Sequence, residues 1–173
     1  MRDDATANPQ TVDALARQAA AALDDADATV ATAESLTGGL LGAALTSVPG
    51  VSRAYRGGLI TYATDTKESL LGVPADTLRD DGAVAASTAA AMAQGARDRL
   101  SATYGVSTTG VAGPDSAEGK PPGTVHVGVA GPNGARTSQH RMAGDRDQVR
   151  RSTCAAALAL LLETLAAETN GTG

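Results

Sequence analysis

The chain has no tryptophan, no phenylalanine and three tyrosines, Tyr55, Tyr62 and Tyr104. Its core must therefore be made of Ala, Val and Leu, small side chains that let elements pack closely without aromatic bulk. A single cysteine, Cys154, excludes an internal disulfide and fits a reducing compartment. No apolar run reaches the length of a membrane span, and the opening MRDDATANPQ lacks the basic-then-apolar layout of a signal peptide. These absences lead to the expectation of a cytoplasmic protein with no membrane partner. A net charge of −5, with no Lys/Arg stripe to offset it, argues against nucleic acid as the main partner. Lysine is scarce as well: twelve arginines stand against two lysines, Lys67 and Lys120. Arginine does not release its proton in a protein, whereas lysine does when its surroundings lower its pKa. A lysine kept in such a chain is a candidate for proton chemistry, with chance retention as the alternative.

What is present alternates between two periodicities. Residues 10–25 carry Val12, Leu15, Ala19 and Leu23 at helical spacing, and ATVATA (28–33) reads as a strand. A helix at 40–48 is stopped by Pro49-Gly50, a strand covers 57–63, and short helices at 64–72 and 74–82 each end on glycine. An Ala-rich helix spans 86–102 and a buried strand 104–113. TVHVGVA (124–130) alternates cleanly and pairs through Pro132-Asn133-Gly134 with an edge strand at 135–142. A last helix runs from about Asp145 to Ala167, with Cys154 as one of its core residues. Strands separated by helices predict a single layered α/β domain, a mixed and mostly parallel sheet flanked by helices, with a late β-hairpin. The domain is expected over 9–167, with 1–8 and 168–173 disordered. The Ala-rich face at 86–100 points to a homo-oligomer.

Ligands of such folds bind at the carboxyl ends of strands, in the loops that lead to helices. One of these loops reads TAESLTGG (32–39). Three readings compete there. Ser35 or Thr37 caps the next helix, the glycines let backbone amides approach an anion, or Ser35 is a nucleophile. Neither GxxxxGK[ST] nor GxGxxG is present, so no nucleotide fingerprint supports the second. The third needs a base. His126 alternates within a strand and His140 lies in a polar edge segment, and neither belongs to a serine–histidine–acid pattern. TYATDTK (61–67) offers another base: Lys67 falls near a helix start, where the macrodipole disfavours its charged form. It could accept the Ser35 proton directly or through the Tyr62 hydroxyl. Asp65 and Glu68 are close enough in sequence to pair with it instead.

TAESLTGG, GGLITYATDTK, LGVPADTLRDDGAV, TTGVAGPDSAEGKPPGTV and AGDRDQVRR, in that order, resemble the CinA C-terminal domain family. The likeness runs from about Gln10 to Ala167. It implies a nicotinamide-nucleotide amidase, which deamidates nicotinamide mononucleotide with a serine, a tyrosine and a lysine and needs no metal or redox cofactor. Carried over, the catalytic set is Ser35, Tyr62 and Lys67, with the amides near Thr37, Gly38 and Gly39 as oxyanion donors. The substrate is then a small nucleotide whose phosphate needs a site. Arg146 and Arg150, four apart at the start of the last helix, are the candidates for it, with surface pairing to Asp145 and Asp147 as the alternative. The loop at Thr109 and Gly110 is the candidate for a substrate wall. The alternatives are a nucleotide-binding or partner domain without catalysis and an amidase for another carboxamide. The chain departs from the family pattern at Leu36, where cysteine is common, at Ala85, which removes a helix cap, and in DSAEGKPP, with Pro122 where valine is usual. Glu34 has no assigned role beyond an ion-pair partner.

Overall fold

Alternating apolar stretches fold, as their periods require, into one mixed sheet between two helical layers. The computed structural model describes residues 2–4 and 9–170. In chain order the elements are β1 (Arg2–Asp4), α1 (Pro9–Asp25), β2 (Val30–Glu34), α2 (Leu40–Thr46), β3 (Tyr55–Ile60), α3 (Thr64–Leu71), α4 (Ala75–Asp80), α5 (Ala86–Arg99), β4 (Tyr104–Gly110), β5 (Thr124–Gly131), β6 (Gly134–Met142) and α6 (Arg146–Asn170). The sheet order is β1-β6-β5-β4-β2-β3. β3, β2 and β4 run parallel, β4, β5 and β6 antiparallel, and β1 lies parallel to β6. The β5–β6 hairpin turns through Pro132-Asn133, with Gly134 at φ 108°.

Period-two alternation assigns each strand face to a layer. Val30 of β2 and Val125, Val127 and Val129 of β5 join Leu41, Leu45, Leu158 and Leu161 in the core beneath α1, α2 and α6. Ala31 and Ala33 of β2 face the other way, toward Met92 and Ala96 of α5 and Leu71 of α3. On this second face the residues are small because the helix lies almost on the sheet. A Cβ added to Gly105 would come within 1.9 Å of the Ala93 carbonyl, and one on Gly128 within 2.6 Å of that of Ala89. Ser107 uses the same closeness, its hydroxyl donating to the Ala89 carbonyl at 2.6 Å. The lack of aromatics is thus a packing requirement of this layer.

Three expectations need correction. β1 occupies part of the stretch expected to be disordered, because the outer edge of β6 offers unpaired backbone groups to any extended segment; residues 5–8 lie outside the described residues. The last helix continues to Asn170, held there by Tyr104, whose hydroxyl donates to Glu168; the remainder of the tail, 171–173, is not among the described residues. Although α6 is long and apolar enough to span a membrane by length and composition, 56% of its most apolar window is packed inside the fold.

Candidate active site

β3, β2 and β4 end side by side, and their carboxyl ends carry the loops named above. Ser35 prolongs the ladder, its amide donating to Thr108 O at 3.0 Å, and the chain then reverses through Gly38 and Gly39, at φ 55° and 104°. Only glycine takes both values without strain. Glu34, buried at 2% exposure, closes the N-terminus of α2. Its Oε2 accepts from the amides of Gly39 (2.9 Å) and Leu41 (3.1 Å) and from the Thr37 hydroxyl (2.7 Å); its Oε1 accepts from the Gly42 amide at 2.8 Å. A carboxylate is the natural partner for a helix N-terminus, so Glu34 is a cap rather than an ion-pair partner. Thr37 also shares a hydrogen bond with the Thr108 hydroxyl at 2.8 Å.

Lys67 enters from the first turns of α3 and is 1% exposed. Its Nζ donates to Thr61 O at 2.7 Å, to Tyr62 O at 3.3 Å and to Ser35 Oγ at 3.1 Å. Neither Asp65 nor Glu68 bonds to it among the described residues. Burial lowers its pKa to about 8, against a smaller opposing pull from the more distant Glu118. Desolvation is therefore the leading cause, ahead of the helix macrodipole invoked from sequence.

The structure brings Ser35 and Lys67 together but not the tyrosine hydroxyl. Tyr62 lies beyond the end of β3, 61% exposed, and its hydroxyl accepts from Arg146 Nη2 at 3.2 Å. Arg146 also donates to Gly113 O at 2.6 Å, so it joins two loops at the rim. Arg150, expected beside it as a phosphate ligand, turns inward instead. Its Nε donates to Leu36 O at 2.9 Å and its Nη2 to Thr37 O at 3.1 Å. Thr109 and Gly110 are corrected too: the Thr109 hydroxyl is fully buried on Ala83 O at 2.6 Å, and Gly110 is bare because a Cβ would meet Thr124 O at 2.7 Å. Both shape the loop from behind.

The expected oxyanion donors also shift. The Gly38 amide is held by Ser35 O at 3.1 Å and the Gly39 amide by Glu34. Among the described residues from Ser35 to Gly42, only the amides of Leu36 and Thr37 meet no acceptor. Sequence reading missed Glu34 and Thr108. The signal for the first was a carboxylate directly before a glycine-rich helix start.

The loop that departs from the family pattern is built around Lys120. Its Nζ donates to Val84 O, and Glu118 accepts from the amides of Ala83 (2.9 Å) and Val84 (3.1 Å). Glu118 thereby holds, from another loop, the segment that leads into α5, whose N-cap residue Ala85 makes no side-chain cap bond. A separate cleft of about 280 Å³ between α1, α2 and α6, lined by Leu40, Ala44 and Cys154 among others, lies behind α2. Burial pushes the Cys154 thiol well above the usual thiol range and leaves it inert there. Among the described residues no cluster of His, Cys, Asp and Glu converges to hold a metal.

A family model described as CinA C-terminal domain matches residues 12–165. A CinA-like protein of Frankia casuarinae is 55% identical over 139 residues, which are 80% of this chain and 32% of that protein. A putative competence-damage inducible protein of Desulforamulus reducens is 48% identical over 79% of this chain and 33% of its own length. The chain thus spans about a third of the curated relatives it matches. Among solved structures, the competence/damage inducible protein CihA from Agrobacterium tumefaciens superposes with a TM-score of 0.86 at 36% identity, covering 92% of this chain and 98% of that one. A competence-damaged protein (CinA) superfamily protein from Escherichia coli gives 0.88 at 31% identity, covering 94% and 95%. With the family model spanning nearly the whole described fold, the chain belongs to the CinA C-terminal domain family.

Proposed function

We propose that this chain is an amidase that hydrolyses nicotinamide mononucleotide to nicotinate mononucleotide and ammonia, with Ser35 as nucleophile and Lys67 as its base. The observation that carries the reading is the 3.1 Å contact between Lys67 Nζ and Ser35 Oγ in a buried setting that lowers the lysine pKa to about 8. Two backbone carbonyls, of Thr61 and Tyr62, take two N–H groups of a neutral amine, and the third direction, the lone pair, faces the Ser35 hydroxyl. About a tenth of such an amine is unprotonated at neutral pH, enough for a general base.

In the reaction Ser35 Oγ bonds to the carboxamide carbon while its proton passes to Lys67. Lys67 returns that proton to the departing nitrogen, the carbon–nitrogen bond breaks, and ammonia leaves an acyl-serine. Water then gives a proton to Lys67 and its oxygen to the acyl carbon, and the proton is returned to Ser35 as the acid departs. No step calls for a cofactor. Tyr62 stands at the mouth with Arg146, whose exposed guanidinium is the cation placed to meet the substrate phosphate.

The test is ammonia release from nicotinamide mononucleotide. Wild type should release it, and Ser35→Ala should abolish release while nucleotide binding survives. Binding without release in wild type would sink the amidase reading in favour of a non-catalytic domain. A second reading, an amidase for another carboxamide, is favoured by the engagement of both Arg146 and Arg150 with backbone carbonyls. Release from a phosphate-free carboxamide in preference to the mononucleotide would select it.

A further inference from the structure

Two amides of buried residues beside Ser35 meet no acceptor among the described residues. Leu36 is 3% and Thr37 0% exposed, and buried amides without acceptors are rare because each forfeits its hydration. They belong to the turn between β2 and α2, not to the helix end, which Glu34 already closes. Their directions are fixed by their neighbours, since the N–H of a trans peptide points opposite to its C=O. The Ser35 carbonyl, in one peptide unit with the Leu36 amide, is held by Gly38 N at 3.1 Å. The Leu36 carbonyl, in one unit with the Thr37 amide, is held by Arg150 Nε at 2.9 Å. Arg150 Nη2 and the Leu40 amide together hold the next carbonyl, that of Thr37.

We infer that the Leu36 and Thr37 amides are the oxyanion donors of this site and that Arg150 and Glu34 are positioning residues that hold them in place. The inference rests on the nucleophile reading of Ser35. It gives Arg150 a part in catalysis without contact to the substrate, in place of phosphate binding. Donors one and two residues after a nucleophile are well placed for charge that develops on the attacked carbonyl. Glu34 anchors the far side of the turn through Gly39 and Thr37, and Arg150 anchors the near side from α6.

The experiment compares wild type with Arg150→Met, Arg150→Lys, Glu34→Gln and, as a surface control, Arg151→Ala, whose guanidinium pairs with exposed Asp147. Two readouts are taken on each folded protein: kcat and KM for ammonia release, and the rate at which a fluorophosphonate labels Ser35, followed by intact mass. The second fills the oxyanion position without needing the amide substrate. Arg150→Met should lose about 100-fold in kcat and in labelling rate, with KM within about three-fold. Arg150→Lys, with a single point charge, should fall between the two, Glu34→Gln should lose about ten-fold in both, and Arg151→Ala should match wild type. A rise in KM with kcat and labelling intact overturns the inference and makes Arg150 a phosphate ligand. A lower melting temperature with an unchanged labelling rate also overturns it, leaving a structural contact. Should Arg150→Met fail to fold, Arg150→Lys decides by the same criteria. Wild type that labels at Ser35 but releases no ammonia refutes the amidase reading, and labelling still decides the inference. Wild type that does neither refutes both.

Discussion

Two lysines survive in a chain that otherwise uses arginine, and they sit at the same end of the sheet in opposite condition. Lys67 is sealed from water, bonded to a serine and two backbone carbonyls, with no carboxylate in contact among the described residues. Lys120 has a side chain 32% exposed, lies 3.6 Å from Glu118 and fastens the 113–123 loop to the residues before α5. Desolvation that outweighs the pull of Glu118 makes the Lys67 ammonium ready to lose its proton, whereas Lys120 serves as a hydrogen-bonding anchor. On the proposed mechanism, the difference teaches that retention of lysine has two separable causes here, proton transfer in one place and loop anchoring in the other.

The largest effect expected from breaking the comparison is on activity. Lys67→Met should reduce kcat/KM at least about a thousand-fold, since a serine without its base is a poor nucleophile. Its stability should hold or rise, because the variant no longer carries a desolvated ammonium. With a folded-state pKa of about 8 against 10.5 unfolded, the protonated form costs on the order of 3 kcal/mol at neutral pH. That cost is offset in the variant by carbonyls left without donors. Ammonia release together with thermal melts measures both, and a sharply destabilised Lys67→Met would break the contrast.

The next effect is in pH. On the proposed mechanism the unprotonated amine is the active form, so kcat/KM should rise about ten-fold from pH 7 to a plateau above pH 9, with an inflection at about 8. Stability should follow the same sign: the unfolded chain binds the proton up to 10.5 and the folded one does not, so stability grows as pH climbs through 8. A profile flat across this range would remove Lys67 from the role of base.

Lys120→Met should do the reverse of Lys67→Met. Loss of its hydrogen bonds should cost about 1–2 kcal/mol, lowering Tm by about 2–8 °C, with kcat changed far less than for Lys67→Met. The smallest effect belongs to Glu118. Burial raises its pKa, but the Ala83 and Val84 amides and Lys120 outweigh burial and hold it below the ordinary carboxylate value. Its stabilisation is therefore present at neutral pH and lost as pH falls through that lowered value. Hydrogen exchange should show the amides of Ala83 and Val84 losing protection in acid before those of β4 and β5. Equal loss in both regions would contradict the anchoring role.

The Ser35–Lys67 pair was legible in the sequence because the residue types are chemically rare in context: a serine at a strand end and a lysine where arginine is the rule. The layered fold was legible for a simpler reason, since period-two and helical patterns alternate cleanly from Val12 onward. Other parts could not be read. The Glu34 cap reaches forward from inside a strand rather than from the usual cap position, so no local pattern announces it. The anchoring of Ala83 and Val84 by Glu118 joins positions far apart in sequence. Arg150 was read by its charge as an anion ligand, yet its partners are neutral carbonyls on another element. Tyr62 was placed by its spacing from Lys67, and spacing does not say which way a ring turns at a strand end.

The reach of Arg150 back to Leu36 spans 114 positions along the chain. During synthesis the serine, its lysine and the parallel strands are all made before that arginine exists. At roughly 5–20 residues per second, the nucleophile turn waits on the order of ten seconds for the side chain that sets its carbonyls. Until the last helix docks, the nascent chain carries the proposed nucleophile in an unfinished setting. On the proposed mechanism, the order of translation therefore acts as a safety catch on the chemistry.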